Sequence, residues 1–79
     1  MTVDKNGWKE NRRHVLDHRS LVVFEKGLHT ATFRIVTEPS GLSTIEYDCR
    51  VLTYIQGTLD DAVNHIILNL NAGSYKVFE

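Results

Sequence analysis

The feature that most constrains this chain is a strongly amphipathic segment near the end of its sequence. Apolar residues recur there at the three- and four-residue spacing of one helical face. They are Leu59, Val63, Ile66, Ile67 and Leu70. Thr58 is a favourable N-cap and Gly73 suits a left-handed C-cap. Asp60 and Asp61 fall in the first turn, where the helix dipole favours carboxylates. The sequence therefore predicts a helix over residues 59–71 with an apolar face that must pack on another element.

The residues before this helix carry the two-residue repeat of β-strands. Residues 21–24 are a short apolar run followed by turn material at Lys26 and Gly27. Residues 29–36 alternate apolar and polar side chains, and residues 45–55 form the longest alternating run. A loop with the only proline of the chain separates these two runs. The sequence therefore predicts three strands ahead of the helix.

The second and third predicted strands should form an antiparallel hairpin about Ser40. Pairing Arg34 with Glu46 and Phe33 with Tyr47 places every inward residue opposite another inward residue. A shift by one residue would set Phe33 beside Glu46 and turn polar side chains toward the core. The register of this hairpin is therefore predicted as well as its existence.

The two ends of the chain give weaker signals. Residues 12–18 follow Asn11, a candidate N-cap, and are predicted to form a short helix. Residues 74–79 alternate and are a candidate fourth strand at the sheet edge. The predicted fold class is α+β: a three- or four-stranded, mainly antiparallel sheet with the C-terminal helix on one face and a short N-terminal helix.

The length of the chain, 79 residues, predicts a single domain over 1–79. Within it, a charged segment 1–19 precedes a β-β-β-α-β body over 20–79. A domain of this size buries only about 60% of its unfolded surface and usually needs reinforcement. One cysteine excludes an internal disulfide, so oligomerisation is the expected reinforcement and the cytoplasm the expected location. We expect neither a signal peptide nor a membrane span.

The residue types of catalytic and metal sites occur without a convincing pattern. His14 and His18 would share a face of the predicted N-terminal helix, but no third metal ligand is specified by spacing. Asp61 and His65 are four residues apart on the C-terminal helix, without an implied nucleophile. Alternation places Cys49 inward, where a thiol is inert. We therefore expect no enzymatic activity, metal or cofactor.

The predicted sheet has apolar residues on the face that the helix does not cover. An apolar strip would be formed there by Leu52, Tyr54 and the outward residues of the first strand. Contact with another segment or another chain is expected to shield such a strip from water. The chain's own ends, a second copy in a homodimer or a foreign protein are the alternatives. Charge is also uneven, because residues 1–19 carry a net +2 and the remainder −3.

These features predict a small non-enzymatic protein-interaction module. Its size is typical of accessory or inhibitory regulators from phages and mobile elements, which occupy the surface of a partner protein. The predicted partner-binding residues are Leu52, Tyr54, Trp8, Arg12, Arg13 and Arg19. The alternative is nucleic-acid binding by the basic N-terminal segment, with Trp8 available for base stacking.

Overall fold

The computed structural model describes residues 7–77 of the chain. Its elements in sequence order are β1 Lys9–Leu16, β2 Arg19–Lys26, β3 His29–Thr37, β4 Leu42–Tyr47, β5 Arg50–Gln56 and α1 Leu59–Ala72. Each strand pairs antiparallel with the next, so the order across the sheet is β1-β2-β3-β4-β5. The α+β class with an antiparallel sheet and one C-terminal helix is confirmed, whereas the predicted strand number is wrong: the described residues form five strands.

The core lies between α1 and one face of the sheet, which we call the helix face. Alternate residues of β2 and β3 point into it, because successive side chains of a strand leave on opposite sides. The buried apolar residues are Trp8, Val22, Phe24, Ala31, Phe33, Ile35, Ile45, Ala62, Val63, Ile66 and Leu70. The central strands therefore hold the core, and the opposite face of the sheet is left without a covering element among the described residues.

The predicted helix is confirmed, with one residue added at its end. Thr58 and Asp61 form a reciprocal capping box: the Asp61 N–H donates to Thr58 Oγ1 at 3.2 Å, and the Thr58 N–H donates to Asp61 Oδ2 at 2.9 Å. Gly73 closes the other end in the left-handed conformation, with φ of 81°. Local sequence signals alone are enough to place this helix.

The predicted hairpin register is also confirmed. Arg34 lies opposite Glu46, and Ile35 lies opposite Ile45. The rings of Phe33 and Tyr47 have centroids 4.9 Å apart on the helix face. Burial of one face fixes this register, because a slip would exchange the two faces.

The predicted N-terminal helix is wrong, since its residues belong to the edge strand β1 and the turn after it. β1 pairs with β2 along its whole length, with a bulge between Glu10 and Arg12. The extra residue, Asn11, shifts the phase of the alternation and hides the two-residue repeat. Most of β1 is exposed to solvent, so its sequence lacks the apolar half of a strand pattern.

The single long strand predicted over residues 45–55 is divided by a tight turn. Asp48 and Cys49 form this turn between β4 and β5, with positive φ angles of 54° and 63°. Two left-handed residues are the signature of the two-residue hairpin that matches sheet twist. Cys49 is therefore exposed at the tip of a hairpin, and its predicted inward position is wrong.

The strain of this turn leads to a testable expectation. A side chain with a β-carbon is disfavoured at the φ of Cys49, whereas glycine adopts it freely. We expect Cys49→Gly to raise the free energy of unfolding by about 0.5–1 kcal/mol, after the entropy that glycine gains in the unfolded chain is subtracted. Thermal unfolding followed by circular dichroism measures it, with Cys49→Ala as the control that removes the thiol but keeps the strain. Equal stability of the two variants would contradict the strained turn.

The predicted edge strand at the C-terminal end is not formed by residues 74–77, and residues 78–79 lie outside the described part of the chain. After Gly73 the chain turns back, and the side chains of Tyr75 and Val77 pack against the core. Tyr75 reaches Phe33 with a ring-centroid distance of 6.3 Å. The alternation of this segment therefore reflects partial burial without strand pairing.

Candidate functional site

The candidate site is the sheet face opposite α1, which we call the outer face. Cross-strand partners share a face, so the strand registers assign its residues. They are Lys9, Arg12, His14 and Leu16 on β1, Arg19, Leu21, Val23 and Glu25 on β2, Thr30, Thr32, Arg34 and Val36 on β3, Leu42, Thr44 and Glu46 on β4, and Val51, Tyr54 and Gln56 on β5.

Leu21 lies at the centre of the basic half of this face. It is opposite His14 on one side and Arg34 on the other, and Arg19 is the preceding outward residue on its own strand. Arg12 lies one outward position further, opposite Val23. Leu21 keeps 44% of its surface exposed. We call Leu21 with the four basic side chains around it the Leu21 hollow.

The surface around Leu21 is concave but shallow. Three depressions of about 160, 300 and 230 Å³ adjoin one another, and Leu21 lines all three. Each is at or below the small end of the volumes typical of small-molecule pockets. Their walls mix apolar side chains with arginine, as at Leu16 and Arg19. This shape suits contact with another surface better than enclosure of a small ligand.

The outer face is positively charged although the whole chain has a net charge of −1. It carries four lysine or arginine residues and two glutamates. Lys9 Nζ lies 3.6 Å from Glu25 Oε2, and Arg34 Nη1 lies 3.8 Å from Glu46 Oε1. Within residues 7–77, Arg12 and Arg19 form no ion pair. The uncompensated positive charge of the face is therefore located at the Leu21 hollow.

Arg13 lies on the helix face, in contrast to its neighbour Arg12. Its Nε donates to Glu10 Oε2 at 2.6 Å, and its Nη1 donates to Asp60 Oδ1 at 2.8 Å. Hydrogen bonding to the Arg13 guanidinium lowers the pKa of Glu10, and the Glu10 and Asp60 carboxylates raise the pKa of Arg13. Arg13 thus connects the edge strand to the start of α1. It also lines the 300 Å³ depression beside Leu21, but Glu10 and Asp60 hold its guanidinium.

The predicted apolar strip is interrupted in the structure. Tyr54 is on the outer face and 60% exposed, but β3 and β4 separate it from Leu21. Polar side chains such as Thr32 and Thr44 lie between them. Leu52 occupies a second bulge, in β5, and is 37% exposed. The outer face therefore has two apolar patches, and only the one at Leu21 is surrounded by arginines.

Trp8 belongs to the core and not to the surface. It is 7% exposed, and its backbone N–H donates to Asn71 Oδ1 at 2.6 Å near the end of α1. Asn71 Nδ2 donates in turn to the Trp8 carbonyl at 3.4 Å. Of the six predicted partner-binding residues, the structure thus places Arg12 and Arg19 on the outer face, on either side of Leu21 along the strands. It places Leu52 and Tyr54 on a separate strand, and Trp8 and the Arg13 guanidinium on the helix side.

The histidines do not assemble a catalytic or metal-binding group in the described structure. His14 is on β1 and His18 is in the turn that follows, so they do not share a helical face. His65 Nε2 lies 2.7 Å from Tyr75 Oη, and desolvation raises the pKa of that phenol. Among residues 7–77 no three histidine, cysteine or carboxylate side chains are grouped closely enough to hold a metal ion.

Comparison with known proteins gives no information about the function of this chain. The chain matches no family model, no curated protein and no solved structure. Within residues 7–77, α1 does not have the length and apolar character of a membrane-crossing helix.

Three residues of the Leu21 hollow are absent from the predicted set of partner-binding residues. Leu21 belongs to one of two alternative outward pairs of its strand, Leu21 with Val23 or Val22 with Phe24, because both faces of β2 are apolar. The predicted N-terminal helix includes His14, and the sequence pattern assigns Arg34 only a pairing with Glu46 across the hairpin. The register of β1 on β2 is the signal that joins them, and the bulge at Asn11 conceals it.

Proposed function

We propose that this chain is a non-enzymatic interaction module that binds an acidic, partly apolar surface of a partner protein through the Leu21 hollow. One observation carries the proposal: an exposed leucine surrounded by arginines on the sheet face that α1 leaves open. An accessory or inhibitory role follows if the partner's own function needs the surface that is covered.

The composition of the hollow is that of a protein-binding surface. Arginine is enriched at interfaces, and an apolar centre with a polar rim is the arrangement in which a few residues supply most of the binding energy. Arg12 and Arg19, free of ion pairs within residues 7–77, would also steer an acidic partner toward the face. Tyr54 and Leu52, at the far edge, would extend the contact for a larger partner.

Nucleic-acid binding is the weaker alternative. Arg12 and Arg19 share a face and could contact phosphates, but Arg13 is held by Glu10 and Asp60 on the other face. Trp8, the residue expected to stack on bases, is buried. Nucleic-acid binding therefore loses two of the residues on which it depended, Arg13 and Trp8.

We also propose a reducing location such as the cytoplasm. Cys49 is a free thiol exposed at the tip of the β4–β5 hairpin. Such a thiol persists where glutathione keeps cysteines reduced, and it would be open to oxidation elsewhere.

The test uses two adjacent arginines that point to opposite faces. The tagged chain is used to capture its partner from a lysate of the source cells, and binding of the purified partner is then measured by calorimetry. We expect Arg12→Ala and Leu21→Ser each to weaken binding about five- to tenfold, with unchanged thermal stability. Arg13→Ala should keep full affinity and lose about 0.5–1 kcal/mol of stability. Leu68→Ser, on the exposed side of α1, should change neither.

Three results would reject this proposal. Equal capture by all four variants would show that the partner binds elsewhere. Capture that a nuclease abolishes, with a steep dependence on salt, would support nucleic-acid binding instead. A concentration-dependent dimer in light scattering that Leu21→Ser dissociates would show that a second copy of the chain covers the face.

A further inference from the structure

We infer that the Leu21 hollow recognises an extended peptide segment in which an apolar side chain is flanked, two positions away on each side, by acidic side chains. This inference rests on the proposed function and specifies the chemistry of the partner. It depends on the placement of three side chains along β1 and β2: Arg12, Leu21 and Arg19.

The strand register sets the spacing of these side chains. Arg12 is level with Val23, two residues beyond Leu21, and Arg19 is two residues before Leu21 on the same strand. A strand rises about 3.4 Å per residue, so the two arginines lie about 14 Å apart along the strand direction with Leu21 midway. An extended peptide has the same rise, and its residues at positions one, three and five face one side. Two carboxylates on that side of the peptide would meet Arg12 and Arg19, and the apolar side chain between them would meet Leu21.

Charge selects the direction in which the peptide lies. A segment running across the strands from His14 through Leu21 would pass Arg34 and meet Glu46, whose carboxylate would repel an acidic side chain. A segment running along the strands meets Arg12 at one end and Arg19 at the other, and neither is paired within residues 7–77. Each guanidinium can receive a carboxylate through two parallel hydrogen bonds.

A single nucleic-acid strand fits this surface less well. The residues at the centre of the hollow are Leu21, Val23 and Thr32, which offer no aromatic ring for base stacking. Tyr54, the aromatic residue assigned to the outer face, is separated from Leu21 by two strands. Glu25 and Glu46 on the same face would also oppose a phosphate backbone.

The test measures fluorescence anisotropy of labelled nine-residue peptides on the purified full-length chain. The patterned peptide has the central sequence Glu-Thr-Leu-Thr-Glu, and the scrambled control has Glu-Glu-Leu-Thr-Thr, with the same charge and composition. We expect the patterned peptide to bind at least about fivefold more tightly than the control. Arg12→Ala or Arg19→Ala should remove that preference, whereas Arg13→Ala should preserve it. A labelled thymidine oligonucleotide serves as the nucleic-acid probe.

Equal binding of the two peptides, absence of binding by both, or tighter binding of the oligonucleotide would overturn the inference. The proposed function fails separately. If partner capture still depends on Arg12 and Leu21 while the peptides fail, the hollow binds a protein surface of another shape. If the Arg12→Ala and Leu21→Ser substitutions change neither partner capture nor peptide binding, the inference and the proposed function are both wrong.

Discussion

Replacing Phe33 by alanine is expected to remove about 3–5 kcal/mol from the free energy of unfolding, a loss larger than that expected at any surface position of this domain. Phe33 is completely buried at the centre of the helix face. Its ring packs edge-on against Phe24, with centroids 5.4 Å apart, and its centroid lies 4.9 Å from that of Tyr47 and 6.3 Å from that of Tyr75. Alanine would remove all of these ring contacts at once and leave a cavity that the surrounding strands are too constrained to close.

This loss is large compared with the stability of so small a domain. At about 0.05–0.15 kcal/mol per residue, a chain of this length has a free energy of unfolding of roughly 4–12 kcal/mol. Phe33→Ala should therefore leave either a marginally stable protein or a largely unfolded one at 25 °C. Urea unfolding followed by circular dichroism measures the change, provided the wild-type and variant curves share one slope.

Phe33→Leu is the matched control, because it keeps much of the apolar volume and removes the ring. We expect it to cost no more than about half as much as alanine. If alanine costs less than about 1 kcal/mol, Phe33 is not at the centre of the core and the packing of α1 on the sheet is wrong. If leucine costs as much as alanine, the ring contacts with Phe24 and Tyr47 dominate over the volume.

The elements that the sequence predicts correctly are those that two independent physical requirements mark at the same residues. Helix α1 combines an apolar stripe with residues suited to both caps, Thr58 and Gly73, so each end is marked independently. The β3–β4 register follows from burial of one sheet face, since a one-residue slip would set Phe33 beside Glu46, and from the pairing of Arg34 with Glu46. In each case two physical requirements point to the same residues.

The errors arise where one residue breaks the repeat or where burial is absent. Asn11 inserts a bulge into β1, and β1 is an edge strand with little buried surface, so neither period nor composition marks it as a strand. The turn at Asp48 and Cys49 carries no glycine or proline, and its residues continue the alternation of the strands around it. Only the positive φ angles of the structure reveal the break.

These errors determine how much of the candidate site can be predicted. A helix over residues 12–18 groups Arg12 and Arg13 as one basic cluster, whereas strand geometry sends them to opposite faces. The same error hides the approach of His14 to Leu21. Exposed residues such as Arg19 and Tyr54 are identified correctly as surface side chains, but their separation across the sheet depends on five-strand topology.

Trp8 is the subject of the second large expected effect. Its sequence position beside a basic segment indicates a surface role in binding, but the structure buries it against the core at the start of β1. We expect Trp8→Ala to lower the free energy of unfolding by about 3 kcal/mol through lost packing. The backbone hydrogen bond to Asn71 does not involve the indole and can persist in the variant. Chemical unfolding of the two proteins measures the difference.

Fluorescence gives an independent measurement on the unmodified protein, because Trp8 is the only tryptophan in the chain. A buried indole should emit at shorter wavelength in the folded protein than in the unfolded one, and quenching by iodide should be weak until the protein unfolds. Trp8→Phe is the control for stability, since it keeps an aromatic ring in the core. If Trp8→Ala leaves stability unchanged and the folded protein emits like the unfolded chain, Trp8 is exposed. Trp8 could then contact a partner at the surface, as the sequence predicts, and an exposed indole near Arg12 would favour nucleic-acid binding by base stacking.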